Sequence, residues 1–344
     1  MKLDTENIAL SHSSIGTRRH ITVFRFGRGR TGPKIYLQGG LHADEPPGML
    51  ILHHLVRLLQ KRDDEPNGEI IIVPCANPIG LSQRFQGHIA GRSDLGVGGN
   101  FNRNFPDVSN LFREQLSLLR SEDYAMDEQA VRLALRRAVA ALTSKTELDS
   151  MKQALLSLAI DADYVLDVHC DDGEVVYAFV SDPDHPDVSL LSSHIGSVAT
   201  MGGWVEAVTF PGSCYRPWRA ARELLPGGST TRRLAATLEY RGTRDVSDDV
   251  AIEDALGLMG FMEAVGILEP KGKVPQDTST LHTTLECIDY VEAHAHGVIL
   301  FQRRLARRWW LARRSRKFST LRAVSGVSSK LALPELCSGV PEVG

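Results

Sequence analysis

The stretch KIYLQGGLHADEPPGMLILHHLVRLLQ, residues 34–60, sets the architecture. It opens as a short apolar run, turns on Gly39 and Gly40, and closes in a long apolar pattern at helical spacing. A strand, a tight turn and a helix in that order are the repeating piece of α/β folds. Pro46 and Pro47 suit the helix start, because first-turn N–H groups have no intrahelical partner to lose. Between strand and helix stand His42 and Glu45, at a strand's carboxyl end, where open α/β sheets place their ligand sites.

The alternation continues on both sides. RHITVFRF (19–26), GEIIIVPCAN (68–77), ADYVLDVHC (162–170) and VVYAFVS (175–181) read as strands, several apolar on both faces as in a buried central sheet. DEQAVRLALRRAVAAL (127–142), ELDSMKQALLSLA (147–159) and DDVAIEDALGLMGFMEAVGIL (248–268) carry helical periodicity. The expected architecture is α/β, a mixed sheet flanked by helices, with a catalytic unit over residues 1–270. KGKVPQD (271–277) reads as a linker, followed by a small β-like segment over 278–344. No internal repeat is visible.

Composition narrows the classes of partner. With 344 residues, 42% apolar and 24% charged, the chain is an ordinary globular protein long enough for a sizeable core. A net charge of −3 points to no polyanionic partner, so no nucleic acid is expected. The five cysteines, Cys75, Cys170, Cys214, Cys287 and Cys337, are scattered and odd in number, a poor disulfide framework and a poor thiolate zinc site. MKLDTENIALSH lacks a signal-peptide core, and no apolar run reaches spanning length. The expectation is a cytoplasmic protein without a membrane span.

Three further stretches give His42 and Glu45 chemical meaning. A catalytic zinc commonly takes three protein ligands and keeps one position open. His169, ending the run DYVLDVHC, supplies a third candidate ligand from a second strand end. In GGNFNRNFPD (98–107), Asn102 and Arg103 stand side by side, an amide and a guanidinium fork suited to gripping a carboxylate. Alone, that pair would read as a surface turn. In AATLEYRG (235–242), Glu239 ends an apolar run, placed to exchange a proton with an attacking water, or else to pair with Arg241 or Arg244.

The ordered set HxxE, NxNR, strand-end histidine and late strand-end glutamate resembles the succinylglutamate desuccinylase/aspartoacylase family, over roughly residues 18–270. That resemblance implies a zinc carboxypeptidase-like fold and a zinc-dependent amidohydrolase acting on linear amides. It implies His42, Glu45 and His169 as ligands of one Zn2+ per chain, and Glu239 as general base and acid. It implies Asn102 and Arg103 as the carboxylate clamp. An upstream arginine would polarise the scissile carbonyl, with Arg92 the better match and Arg84, in LSQRF, the alternative. The implied substrate is a small N-acyl amino acid or related amide. A metallocarboxypeptidase cutting peptide C-termini and a catalytically weak small-molecule-binding relative remain alternatives, and a homo-oligomer is left open.

Some residues depart from the pattern. Asn100 stands where many relatives carry aspartate; its amide oxygen can still accept a histidine N–H, without adding negative charge. Cys170 follows His169 directly and should point away from it if the pleat continues, so it reads as packing. Residues 303–317 hold eight basic side chains and no acid, leaving 31 basic against 42 acidic residues elsewhere, a net −11. This run is either a basic aromatic strip for anionic lipid or nucleic acid, or an altered C-terminus, the reading preferred here. His53 and His54 lie mid-helix, and His294 and His296 lack an acidic partner. Asp163, Asp167, Asp171 and Asp172 flank the strand of His169 and could help to hold it. Ser213 and Cys214 lack a nucleophile elbow.

Overall fold

Both faces of the central strands are covered, and this explains their unbroken apolar runs. The computed structural model describes residues 1–12, 14–203, 208–224, 233–271, 280–291, 297–298, 324–327 and 331–334. In chain order the elements are β1 (Asp4–Ala9), β2 (His20–Phe26), β3 (Lys34–Gly39), α1 (Pro46–Gln60), β4 (Glu69–Val73) and α2 (Pro78–Ser82). The two-residue strands β5 (Arg84–Phe85) and β6 (His88–Ile89) precede α3 (Ser109–Ser121), α4 (Glu128–Ala140) and α5 (Glu147–Ala159). Then come β7 (Tyr164–Val180), α6 (Val188–His194), β8 (Ala199–Gly202), α7 (Phe210–Leu224), β9 (Leu234–Gly242), α8 (Asp248–Ala264) and β10 (Leu281–Thr284). Short strands β11 (Ile288–Val291), β12 (Gly297–Val298), β13 (Val324–Val327) and β14 (Leu331–Pro334) follow.

The large sheet is mixed and eight-stranded, in the order β1-β2-β4-β3-β7-β8-β10, with β9 paired to β7. β3 runs parallel to both β4 and β7, whereas β1 and β2 are antiparallel. Along β9, partners climb from Tyr164↔Leu234 to His169↔Glu239, then descend from Tyr177↔Glu239 to Val180↔Ala236. β7 therefore doubles back, and its two arms embrace β9. The sequence suggests two strands here; the structure joins them in one bent strand.

Two cores sandwich the sheet. Tyr36, Ile71, Val73 and Val165 face α3, α4, α5 and α7, while Ile35, Leu37, Ile70, Ile72, Leu166 and Val168 face α1, α6 and α8. The alternation of Ile35, Tyr36 and Leu37 between cores is the period of two expected of a strand buried on both sides. α7 has no clear sequence signal, because Pro217 lies inside it and costs a backbone hydrogen bond. Buried Phe210, Tyr215 and Trp218 hold it, and Trp218 Nε1 donates to the Ile160 carbonyl at 2.8 Å.

β10 adds to the large sheet beside β8, while β11 pairs β14 and β12 pairs β13. Apart from Lys271 the expected linker lies outside the described residues, as do His294, His296 and the basic run 303–317. Cys75, Cys170 and Cys214 are free thiols. Among the described residues no helix is long and apolar enough to cross a membrane.

Candidate metal centre

The turn that carries His42 and Glu45 is braced from three sides. Gly40 turns the chain after β3 at φ +66°, a left-handed backbone that favours glycine. The Glu45 amide donates to the His42 carbonyl at 3.1 Å, and Glu45 becomes the residue that caps α1. The Ala76 amide donates to the Gly39 carbonyl at 2.9 Å, and the Asn77 carboxamide to the Leu41 carbonyl at 2.8 Å. On the third side, the Ala43 amide donates to the carbonyl of Gly91, where a Cβ would stand 2.2 Å from the Asp44 nitrogen. The sheet supplies the remaining groups. Asp167 and His169 share one face of β7, and Glu239 of β9 lies in register beside His169.

His42, Glu45 and His169 are all buried, and one ligand atom from each lies within 4.8 Å of the others. His42 Nδ1 is 2.8 Å from Glu45 Oε1, and His169 Nδ1 is 2.8 Å from Glu45 Oε2. The opposite ring nitrogens are committed too. His42 Nε2 lies 2.8 Å from Asn100 Oδ1, and His169 Nε2 lies 3.0 Å from Asp167 Oδ2. Asn100 Oδ1 can only accept, so His42 Nε2 carries a proton and donates it. His169 Nε2 faces both the Asp167 carboxylate and, at 3.2 Å, Asn102 Nδ2. Because that amide donates to Asp167, His169 Nε2 also carries a proton and donates it to the carboxylate. A neutral ring then turns its Nδ1 lone pair toward Glu45, itself an acceptor. Two such nitrogens facing a carboxylate require positive charge between them, as ring protons or as a metal ion. Two imidazoles and one carboxylate are a donor set used by catalytic zinc, and these residues fit one.

The electrostatics agree with a site built for a cation. Burial alone would raise the Glu45 carboxyl, but hydrogen bonds from His169 and His42 hold it well below the usual carboxylate range. Burial opposes the charged form of His169, yet the Asp167 and Glu45 carboxylates lift its pKa well above the ordinary value. Burial pushes the Glu239 carboxyl up to about 7; Glu45, Asp171 and Asp167 add to the rise and His169 opposes it. The Oε2 atom of Glu239 is buried without a hydrogen-bond partner.

The arginines fall on different sides of the question. Arg92, whose side chain is 62% exposed, reaches Glu45 Oε1 with Nη1 at 3.0 Å. Arg84 sits on the exposed β5–β6 hairpin, away from these contacts. Arg103 is exposed and donates from Nη1 to the Asn102 carbonyl at 2.8 Å. Although the residue is exposed overall, partial burial of its guanidinium and then the charge of Arg92 lower its pKa, so the two guanidinium groups share one neighbourhood.

Asn102 turns inward. Its Nδ2 donates to Asp167 Oδ2 at 3.2 Å, and its Oδ1 accepts the Phe210 amide at 2.9 Å. Asn100 does what its amide oxygen allows, accepting the His42 N–H and also the Asn102 amide at 2.7 Å. The buried Cys170 side chain packs, while its backbone N–H donates to Glu45 Oε2 at 3.2 Å. Gln38 and Tyr36 escape a reading of the sequence altogether, and Asp167 is only one of four flanking acids there. A signal for Asp167 does exist: it stands two residues before His169 and therefore on the same strand face.

The catalytic-domain model of the succinylglutamate desuccinylase/aspartoacylase family matches residues 31–191, a span that includes the three candidate ligands and stops short of Glu239. The fold is similar to that of a Shewanella amazonensis SB2B protein named for this family, at 22% identity and TM-score 0.72, covering 87% of this chain and 82% of that one. A Shewanella frigidimarina NCIMB 400 protein named likewise aligns at 20% identity and TM-score 0.73, covering 97% and 91%. The product-bound ectoine utilization protein EutE (DoeB) of Ruegeria pomeroyi aligns at 17% identity and TM-score 0.55, covering 87% and 77%. No curated protein matches the chain.

Proposed function

We propose that the protein hydrolyses the amide bond of a small N-acyl amino acid or related amide, with one zinc ion per chain, a reading supported by the match of residues 31–191 to the succinylglutamate desuccinylase/aspartoacylase catalytic-domain model. One observation carries this reading: two imidazole Nδ1 atoms and the Glu45 carboxylate converge in a buried cluster, with Glu239 in register beside it. His42, Glu45 and His169 would hold the ion. Zinc there supplies Lewis acidity, which polarises a carbonyl and lowers the pKa of water to about 7.

The remaining roles belong to the chain's own side chains. Glu239, with Oε2 unpartnered, takes a proton from the attacking water and returns it to the departing amine nitrogen. Arg92 offsets the negative charge that develops on the carbonyl oxygen and is preferred to Arg84 because it reaches Glu45, whereas Arg84 lies on the β5–β6 hairpin. Arg103 grips the substrate's carboxylate through its planar fork. Asn102 contributes to that clamp chiefly through its carbonyl, which accepts from Arg103 Nη1 and so orients the fork. The catalytic unit is taken as residues 1–270, extended by β10, which pairs with β8 in the same sheet; the short strands from Ile288 onward are an addition to it.

A hydrolysis screen tests the reading. N-acyl amino acids and free peptides are offered to the full chain as isolated, after chelation, and after zinc is returned. Turnover of an N-acyl amino acid that chelation abolishes and zinc restores is expected. Release of C-terminal residues from peptides alone would assign the parts to a carboxypeptidase. Stoichiometric zinc with no turnover across the panel would make the protein a binding relative.

A further inference from the structure

Behind His169 the sheet buries a row of polar side chains that a core does not need. Tyr36, Gln38 and Asp167 are each 0% exposed. Tyr36 lies opposite Val165, and Gln38 opposite Asp167, so the row follows one face of β3 and β7 toward the metal cluster. The Tyr36 hydroxyl donates to Gln38 Oε1 at 2.8 Å, and Gln38 Nε2 donates to Asp167 Oδ1 at 2.9 Å. The other Asp167 oxygen accepts from His169 Nε2 at 3.0 Å. Taking a hydroxyl, an amide and a carboxylate out of water is costly, and apolar side chains of similar size would pack there at less expense.

Only one hydrogen-bond arrangement satisfies the row. An Asp167 carboxylate can only accept, so Gln38 must turn its NH2 toward it and its oxygen toward Tyr36. The Tyr36 hydroxyl must then donate. Gln38 thereby holds Oδ1 while the Asn102 carboxamide holds Oδ2 at 3.2 Å, and the two together fix the rotation of the Asp167 carboxylate and the direction from which Oδ2 meets the His169 ring. Without Gln38 the carboxylate would be held only through the oxygen it shares between Asn102 and the ring, and could pivot about it, loosening the orientation of His169.

We propose that Gln38, anchored by Tyr36, is a positioning residue for the metal centre: it holds Asp167 so that His169 keeps its Nε2–H outward and its Nδ1 toward Glu45. The inference rests on the metal-site reading above and adds to it two residues that touch no ligand and no substrate.

Zinc affinity of the full chain, measured by competition with a chelator, tests it in the parent, Tyr36→Phe, Gln38→Met and the double variant. Gln38→Met should weaken zinc binding about tenfold to a hundredfold, the usual effect of losing such an outer partner. Tyr36→Phe removes one oxygen and should weaken it roughly two- to tenfold. The double variant should be no weaker than Gln38→Met, because Tyr36 acts only through Gln38. The visible spectrum of the cobalt(II)-loaded Gln38→Met protein should also shift, a change that altered folding stability alone does not produce. Zinc affinities within twofold of the parent in both single variants overturn the proposal. Should Gln38→Met not fold, Tyr36→Phe decides it. A parent that holds no zinc overturns the metal-site reading and this inference together; a zinc-binding parent with parent-like variants overturns the inference alone.

Discussion

Glu239→Gln should change the pH dependence of folding stability in the chelated protein, by an amount that the structure allows us to work out. The Glu239 carboxyl stands at about 7 when folded, against 4.5 for the ordinary group, because burial and the nearby Glu45, Asp171 and Asp167 disfavour its charge. Between those two values the folded chain binds more protons than the unfolded chain, so stability falls as pH rises through the window and levels off above it. A difference of roughly 2.5 units at about 1.36 kcal/mol each amounts to about 3 kcal/mol. Glutamine resembles the protonated acid in shape and never ionises. The variant should therefore match the parent near pH 4, gain on it steadily, and exceed it by up to about 3 kcal/mol at pH 8. Urea unfolding of both proteins at pH 4, 6 and 8, with chelator present throughout, reads this difference while titrations common to both largely cancel. A variant-to-parent difference that stays constant from pH 4 to 8 would refute the buried, unpartnered carboxylate on which the general-base role depends.

The other expectations are simpler. Glu239→Gln should keep zinc and lose turnover by about two to four orders of magnitude, and near-parental rates would place the base elsewhere. His169→Ala should lose most of its zinc on dialysis, as read by elemental analysis; full retention would remove His169 from the site. Arg103→Lys keeps the charge but loses the fork, and should cost roughly 1.5 to 3 kcal/mol, or about ten- to a hundredfold in kcat/KM. Amidating the substrate's carboxylate should cost the parent a similar amount and the variant little more; losses that simply add would show that Arg103 does not hold that group.

Local chemistry writes part of this protein openly into its sequence. The Gly39–Gly40 turn, the Pro46–Pro47 start and the apolar period of α1 are enough to place His42 and Glu45 at a strand–helix junction. The unbroken runs in β3, β4 and the first arm of β7 announce a sheet covered on both faces, because each neighbouring pair of side chains meets a different core. His169 is legible for the same reason, as the first polar ligand type to end such a run. How these pieces combine is a matter of tertiary contacts. That residues 164–180 double back around β9, so that His169 and Tyr177 both pair with Glu239, depends on ladders between distant segments. The inward turn of Asn102 and the proximity of Arg92 rather than Arg84 to Glu45 depend on loop packing with no local code. Tyr36 and Gln38 look like ordinary strand residues until cross-strand register sets Gln38 opposite Asp167. Register is settled by which faces are buried across the whole sheet, and no window of neighbouring residues contains that information.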